Sequence, residues 1–372
     1  MKNLFVCCFI MLFVGSCVFE NKKQQPVAEA VEPEPDIEEV KTLPPLEGDE
    51  VYYKNKDPFG EVVNLTGQQL DNDTAIFKVS GSQMLVKGDR IIVKNGINGH
   101  AFMQFSLPDM RFLGHSGRLG NGPDEFVFAS LVPSPDTSIL AYTFEMTNRK
   151  LYRYEKSGEL IPYPFKFSEL TALVASEKQI VNIAPGDFIY VDATPKGKSV
   201  FRSVKTGDSI TTQEVFNLTL NKRQKSWVAY TGDFVVNSAQ NRMAYAYKYY
   251  KIIKFMNLEA QTVKTINFEQ EEFDDGSVRI INGADRNVTH YWGACAGNDY
   301  VYFLYSGRTP VQVMSDNNKG QTYMYVEQYD WNGNPVHKYR LDKWGYFTVD
   351  EKNNKIYMLS TNDDDPFFLF SF

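Results

Sequence analysis

Hydrophobic and polar residues alternate along most of the chain from about residue 60 onwards, in short runs separated by Gly, Asn and Asp. A period of two places successive side chains on opposite faces of an extended strand, so the pattern predicts β-strands. No amphipathic helical pattern of about 12 residues or more interrupts these runs. Six strand-like runs recur about every 50 residues, at 91–94, 139–142, 188–191, 243–246, 300–305 and 355–359.

Turn residues punctuate these runs. Pro185-Gly186-Asp187 precedes one strand-like run, and Thr206-Gly207-Asp208 follows the strand that comes after it. Gly, Asn and Asp accept the positive φ that hairpin turns require. Strand and turn alternating at this period are typical of β-propeller blades, so six periods predict an all-β, six-bladed propeller over residues 56–372. We expect the extra strand at 61–65 to join the last blade and close the ring, because closure removes open sheet edges.

The N-terminus carries a different pattern. Residues 1–17 combine Lys2, an apolar run of 11 residues from Leu4 to Val14, and the end Val14-Gly15-Ser16-Cys17. The run is too short to span a bilayer and fits a signal peptide. Small residues before Cys17 match a bacterial lipobox, so we predict that Cys17 is lipidated. Cys7 and Cys8 leave with the signal peptide, and Cys295 then remains as the only free thiol.

Composition and charge predict a tether that follows the signal peptide. Residues 18–55 are rich in Pro and Glu, which favours an extended, disordered linker. The segment 18–50 has ten acidic and three basic residues, a net charge of −7, which equals the net charge of the whole chain. Because Lys2 contributes +1, the body from residue 51 carries about −1. This balance argues against nucleic acid as a partner.

A family resemblance covers essentially the whole chain. The lipobox, the acidic tether, the six β periods, the stretch 117–126 (GRLGNGPDEF) and the stretch 329–335 (YDWNGNP) together resemble the TolB-like six-bladed propeller lipoproteins of Bacteroidetes. The resemblance implies the fold and an envelope location. It implies no activity, because no established activity of that family can be carried over to this chain.

The glycine-rich stretch offers one candidate site. Its glycines run in the order G-x-x-G-x-G without a following helix or Gly-Lys-Ser/Thr, which argues against a phosphate-binding loop. The structural interpretation is a tight connection between blades one and two. The functional interpretation is that Arg118, Asp124 and Glu125 bind a polar ligand at the axial opening.

A second candidate group flanks the fifth period. Arg286, His290, Trp292, Tyr305 and Arg308 combine aromatic rings with cations, which suits a saccharide or peptide platform, although core and rim packing of a blade is the simpler explanation.

Spacing excludes several other sites. The four histidines form no metal-binding motif, so we predict no metal and no cofactor. Gly114-His115-Ser116-Gly117 lacks the final glycine of a serine-hydrolase elbow, and a lone Cys295 is ordinarily an inert buried thiol.

Asp73-Thr74-Ala75 and Asp208-Ser209-Ile210 resemble O-glycosylation acceptors of Bacteroidetes, so Thr74 and Ser209 are candidate modification sites.

These observations favour a cell-envelope lipoprotein that binds a protein, peptide or glycan without catalysis. We expect it to be membrane-attached through its lipid anchor, at the outer membrane facing the periplasm. The alternative is an envelope hydrolase or lyase that acts on a glycan or peptide at the axial opening. A histidine or carboxylate with a strongly shifted pKa in the pocket would favour the enzyme.

Overall fold

The computed structural model describes residues 49–53, 56–70, 77, 79, 81–167, 179–195, 197–220, 227–268, 273–274 and 285–372. The predicted signal peptide, Cys17, most of the predicted tether and Thr74 lie outside these residues.

Six sheets account for the described strands. Three N-terminal strands come first: β1 (Asp49–Tyr53), β2 (Val62–Leu65) and β3 (Gln68–Gln69). Blade one contains β4 (Gln83–Lys87), β5 (Arg90–Ile97), β6 (His100–Ser106) and β7 (Phe112–Arg118). Blade two contains β8 (Ala129–Val132), β9 (Ile139–Glu145), β10 (Lys150–Glu155) and β11 (Leu160–Tyr163). Blade three contains β12 (Ile180–Ala184), β13 (Asp187–Thr194), β14 (Gly197–Thr206) and β15 (Ser209–Asn217). Blade four contains β16 (Gly232–Asn237), β17 (Arg242–Tyr247), β18 (Ile252–Met256) and β19 (Thr262–Phe268). Blade five contains β20 (Thr289–Ala296), β21 (Tyr300–Arg308), β22 (Met324–Asp330) and β23 (Pro335–Leu341), and blade six contains β24 (Gly345–Asp350), β25 (Lys355–Ser360) and β26 (Phe367–Ser371).

The blades close into a ring. Each blade is an antiparallel meander in which sequence neighbours are hydrogen-bonded. The first strand of every blade contacts the first strand of the next blade, and β24 of blade six contacts β4 of blade one. The predicted six-bladed β-propeller is confirmed.

The apolar strand-like runs follow from packing on both faces of each blade. In β21, Val301 and Phe303 pack towards blade four, whereas Tyr302 and Leu304 pack towards blade six. A strand that is covered on both sides is apolar at consecutive positions, which explains the run at 300–305. Six such apolar clusters fill the gaps between neighbouring blades in the described part of the chain.

Glycine shapes the hairpins where the sequence predicts turns. Gly186, between β12 and β13, has φ 71°, and Gly207, between β14 and β15, has φ 61°. A Cβ is unfavourable in this left-handed region, so glycine is the natural residue at both turns.

One α-helix interrupts the strands among the described residues. Helix α1 (Pro310–Asn318) connects β21 to β22 and begins with a capping box between Thr309 and Gln312. No helix in the described part of the chain is both long enough and apolar enough to cross a bilayer.

The N-terminal segment lies along three blades, and we call residues 49–53 and 56–69 the N-terminal strap. β1 pairs in parallel with β19 of blade four, and β2 pairs in parallel with β23 of blade five. β3 pairs antiparallel with β26 and supplies the fourth strand of blade six. Gly67 crosses between the last two blades, where its N–H donates to Asp342 and a Cβ would meet the ring of Phe370.

Two predictions are corrected by this strap. The strand predicted at 61–65 does form, but it extends blade five, and the pair Gln68–Gln69 completes blade six instead. Two polar residues give no strand signal in a sequence, because their pairing depends only on the backbone. The predicted boundary between tether and propeller at residues 55 and 56 is also too late, since Asp49–Tyr53 is already a strand of blade four.

Candidate functional site

Both predicted site regions lie at one end of the propeller. In a four-stranded meander, the connection from the second to the third strand and the connection to the next blade lie at the same end. The glycine-rich loop connects β7 of blade one to β8 of blade two, and α1 connects the second and third strands of blade five. We call this end the inter-blade face.

The glycine-rich loop uses its polar groups on itself. The Arg118 guanidinium lies 3.1 Å from the Glu125 carboxylate, and Glu125 also accepts a 2.8 Å hydrogen bond from the Gly122 N–H. A Cβ on Gly120 would collide with that carboxylate. The structure therefore brings two of the three predicted ligand-binding residues together as an internal ion pair.

A buried carboxylate secures the end of the same loop. Glu145 of β9 accepts hydrogen bonds of 3.0 Å from the N–H groups of both Val127 and Phe128. Asp124 is exposed beside the loop. This arrangement supports the structural interpretation of the glycines, although a binding role for Arg118, Asp124 and Glu125 stays a prediction.

A larger site lies between blades four and five. It is a cavity of about 510 Å³, within the usual size range of small-molecule sites. It includes outer strands and the strap, and so differs from the axial opening that the sequence suggested. Its walls are Tyr53, Lys56, Asp57 and Val62 of the strap, Lys251 and Phe268 of blade four, and His290, Tyr305, Ser306, Gly307, Arg308, Tyr323, Tyr325 and Lys338 of blade five.

The paired ends of β20 and β21 concentrate buried polar atoms that lack partners. Among the described residues, neither ring nitrogen of His290, the hydroxyl of Ser306 nor Nε of Arg308 has a hydrogen-bond partner. All three side chains are more than nine-tenths buried and line the cavity. The Thr289 hydroxyl, opposite Arg308 in the ladder, is also buried and unpartnered within the described chain. Since buried polar groups are normally hydrogen-bonded, such a cluster indicates a missing ligand or ordered water.

His290 is held neutral. Burial, and then the nearby positive charge of Lys251, lowers the pKa of His290 to about 3. Its ring lies 6.2 Å from the ring of Tyr305 in a stacked arrangement. The neutral imidazole offers one donor and one acceptor.

Cations cover the aromatic rings of the cavity. The Lys251 Nζ lies 4.0 Å from the ring centroid of Phe268 and 4.6 Å from that of Tyr305. The Lys338 Nζ lies 4.9 Å from the centroids of both Tyr305 and Tyr325. The ring of Tyr305 therefore stabilises two ammonium groups at once.

Arg308 is held in a similar way. Its guanidinium lies 3.7 Å from the ring centroid of Tyr323 and donates a 2.8 Å hydrogen bond to Asp316 of α1.

Lys338 and Lys251 differ in their acidic partners. Lys338 lies 2.7 Å from the Asp57 carboxylate and 3.2 Å from that of Glu327. Lys251 has no carboxylate within ion-pair distance among the described residues. Burial lowers the pKa of Lys251; of its charged neighbours, Lys338 lowers it further, while Glu327 and Asp57 act in the opposite direction.

The second sequence-predicted group is divided by the structure. His290, Tyr305 and Arg308 line the cavity. Trp292 instead contacts Trp344 of the segment leading into blade six, at 5.6 Å between ring centroids, and Arg286 is exposed ahead of β20.

Sequence reasoning missed the remaining cations of the cavity. Lys251 and Lys338 come from different blades, and only the fold brings them together. Lys338 is buried on β23 next to the buried Tyr339, and the sequence alone does not show this burial.

The other candidate residues lie away from the cavity. The Cys295 thiol lies 3.6 Å from the Thr348 hydroxyl, and burial raises its pKa, so the thiol stays protonated at neutral pH. Ser209 is exposed at the start of β15 and remains a candidate for glycosylation. The described residues contain no group of three or more His, Cys, Asp or Glu side chains placed to hold a metal ion.

Comparison with known proteins identifies the family. The model of the TolB-like 6-blade propeller-like family matches residues 58–352. The chain belongs to this family. The TolB-like chain is also similar in fold to two solved Bacteroides structures, whereas no curated protein matches it.

The two structural relatives show the same fold at low sequence identity. A member of the DUF4221 family from Bacteroides vulgatus ATCC 8482 shares 13% identity at a TM-score of 0.56, covering 85% of this chain and 98% of its own. A protein from Bacteroides fragilis NCTC 9343, described as exported, shares 11% identity at a TM-score of 0.51, covering 86% of this chain and 98% of its own.

Proposed function

We propose that this TolB-like chain is a cell-envelope lipoprotein whose propeller binds a ligand without transforming it, in the cavity between blades four and five. The observation that carries this proposal is the set of buried, unpartnered polar atoms of His290, Ser306 and Arg308 on the cavity wall. A bound ligand would satisfy these atoms, whose burial is otherwise costly. The lipobox at Cys17 and the exported relative support the envelope location.

The pKa of His290 is strongly shifted, as the sequence-based criterion for an enzyme requires, but it is shifted downward, and this direction favours binding over acid–base catalysis at this residue. A general base works best when its pKa lies near the working pH. An imidazole whose pKa is lowered to about 3 holds a proton too weakly for that task. It acts instead as a fixed hydrogen-bonding group.

An envelope lyase is a second candidate, favoured by Lys251. Burial lowers the pKa of Lys251, which brings a neutral amine closer to physiological pH. In β-elimination such an amine takes the proton from the carbon next to the carboxylate, the C–O bond to the neighbouring sugar breaks as the double bond forms, and water protonates the departing alkoxide. Incubation with a uronate oligosaccharide would then produce a new double bond, seen as ultraviolet absorbance, and Lys251→Arg would abolish it.

Cross-linking in the native envelope tests the proposed function. Val62 lines the cavity from β2, whereas its neighbour Val63 is exposed and outside it. A bulky Val62→Trp side chain should obstruct the cavity, and Val63→Trp provides the matched control. We expect the partners recovered from cross-linked envelopes, identified by mass spectrometry, to disappear with Val62→Trp and persist with Val63→Trp. Equal recovery from both variants would refute the cavity as the binding site.

The proposed anchor has its own test. Cys17→Ala should release the protein from the membrane fraction or leave it unprocessed, and normal membrane retention would contradict lipidation.

Protease shaving of intact cells distinguishes the proposed periplasmic orientation, in which the propeller is protected, from surface display.

A further inference from the structure

We propose that the cavity between blades four and five selects a hydroxylated carboxylic acid, that is, a sugar acid, whose carboxylate pairs with Lys251. This inference rests on the proposed function and names the ligand class of the same site.

The charges of the cavity wall require an anion. The lining contains four cationic side chains, Lys56, Lys251, Arg308 and Lys338, but a single carboxylate, that of Asp57. Arg308 and Lys338 already have acidic partners.

Among the lining cations that are at least half-buried, Lys251 has the weakest acidic compensation, because Glu327 and Asp57 act on it only from beyond ion-pair distance. The fourth lining cation, Lys56, is exposed. It is half-buried, and the described residues place no carboxylate within ion-pair distance of its ammonium. A partly desolvated charge is stabilised by an opposite charge, which the ligand would supply.

The aromatic rings support electrostatic selection rather than ring stacking. Tyr305 has Lys251 and Lys338 against its ring, and Tyr323 has Arg308 at 3.7 Å and Arg340 at 4.7 Å from its centroid. Because these rings already contact cations, they hold the cations in position for an anion.

The protein itself shows that a carboxylate fits this environment. Asp57 of the strap places Oδ2 2.7 Å from the Lys338 Nζ, at the edge of the same cavity. Charge-assisted hydrogen bonds of this kind are roughly twice as strong as neutral ones. A ligand carboxylate beside Lys251 would make the same kind of contact with a second ammonium of the cavity lining.

The neighbouring groups call for hydroxyls as well as a carboxylate. Nε of Arg308 can only donate, but the neutral His290 ring and the Ser306 hydroxyl each donate and accept. A simple carboxylate has no donor to satisfy the acceptor nitrogen of His290. A hydroxyl close to the carboxylate satisfies both kinds of group, which points to a polyhydroxylated acid.

A panel of three probes tests the inference by ligand-observed NMR titration of the whole chain. The probes are D-glucuronate, D-glucose, which lacks the carboxylate, and cyclohexanecarboxylate, which lacks the hydroxyls. We expect D-glucuronate to bind at least tenfold more tightly than either of the others, equal to about 1.4 kcal/mol. Comparable binding of glucose, comparable binding of cyclohexanecarboxylate, or no binding of glucuronate each overturns the inference.

Variants test whether Lys251 is the cation that pairs with the carboxylate of D-glucuronate. Lys251→Met should weaken glucuronate binding at least tenfold, and Lys251→Arg should retain most of it. Lys254 lies on the adjoining strand with its Nζ 5.5 Å from the ring of Phe216, outside the cavity, so Lys254→Met is the matched control. Unchanged binding by Lys251→Met contradicts the assignment.

Failure of this inference and failure of the proposed function are distinguishable. If glucuronate does not bind while Val62→Trp still removes the cross-linked partners, the cavity is a binding site for another ligand class. If Val62→Trp leaves those partners unchanged, the proposed function itself fails.

Discussion

The ammonium of Lys338 lies 3.2 Å from Oε1 of Glu327, and the Glu327 carboxylate is completely buried. Oε2 of Glu327 accepts hydrogen bonds of 3.2 Å from the hydroxyls of Tyr291 and Tyr329. The ion pair thus joins the cavity wall to the core between blades four and five.

Removal of Lys338 should be strongly destabilising. Lys338→Met leaves the buried carboxylate of Glu327 without its cation, and loss of one partner of a buried pair costs about 3–5 kcal/mol. Urea unfolding of the variant measures the change in the free energy of unfolding. The double variant Lys338→Met with Glu327→Gln should recover more than half of the loss, because the uncompensated charge is gone.

The pair of Lys343 and Asp363 provides the control. Its atoms are closer, at 2.7 Å, but about a quarter of each side chain is exposed, so it is better solvated than the pair of Lys338 and Glu327. Lys343→Met should therefore cost no more than about 1 kcal/mol. A cost for Lys338→Met as small as that of the control would contradict the role given to burial.

His290 should make the protein less stable in mild acid. Its pKa is about 3 in the folded protein, compared with about 6.5 for an unperturbed histidine. Below about pH 6.5 the unfolded chain gains a proton at this residue that the folded chain does not. The free energy of unfolding therefore decreases as the pH is lowered, by up to about 1.4 kcal/mol per pH unit, until about pH 3.

A substitution isolates this contribution from those of the carboxylates. The free energy of unfolding of His290→Gln should decrease less between about pH 7 and pH 5 than that of the unmodified protein. His337→Gln, at an exposed histidine, is the control for the substitution itself. An identical pH dependence in His290→Gln would show that the imidazole titrates normally.

The blades were predictable because their inner strands are packed on both faces. Met243, Tyr245 and Tyr247 of β17 pack towards blade three, and Ala244 and Ala246 pack towards blade five. Such consecutive apolar residues between turn signals are visible in a sequence. The pairing of Gln68 and Gln69 with β26 was not predictable, because it uses only backbone groups at a sheet edge.

The candidate site was predictable only where the chain itself brings residues together. His290 and Arg308 lie near the paired ends of two consecutive strands, β20 and β21. Lys251 comes from blade four and Lys338 from the last strand of blade five, so their proximity is a consequence of the closed ring.

Binding of D-glucuronate should weaken as pH rises. The charged or titratable groups around the Lys251 ammonium are Lys338, Glu327, Asp57 and His290. Because burial lowers the pKa of Lys251, its positive charge is lost at a lower pH than that of an ordinary lysine.

NMR titration of D-glucuronate at several pH values measures this loss. Affinity should fall as pH rises through the lowered pKa of Lys251. Lys251→Arg should move the fall to higher pH, because a guanidinium keeps its proton. The same pH dependence in both proteins would exclude Lys251 as the titrating group.

The glycine-rich loop should not contribute to this binding. Arg118 is 80% exposed and paired with Glu125 inside the loop. Arg118→Ala combined with Glu125→Ala should leave the affinity for D-glucuronate unchanged within about twofold, since exposed pairs contribute little. If the double variant instead loses at least tenfold in affinity while it remains folded by circular dichroism, the loop is the ligand site that the sequence suggested.

Photo-cross-linking from β2 tests the central claim that the cavity between blades four and five is the binding site. A small aliphatic diazirine amino acid, close to valine in size, replaces Val62, which lines the cavity, or Val63, which is 40% exposed and lies outside it. Irradiation of cells that carry each variant, followed by mass spectrometry of the purified chain, reports what lies next to each position. We predict a defined ligand adduct from position 62 and none of the same mass from position 63. Identical adducts from the two positions, or none from position 62, would contradict the account.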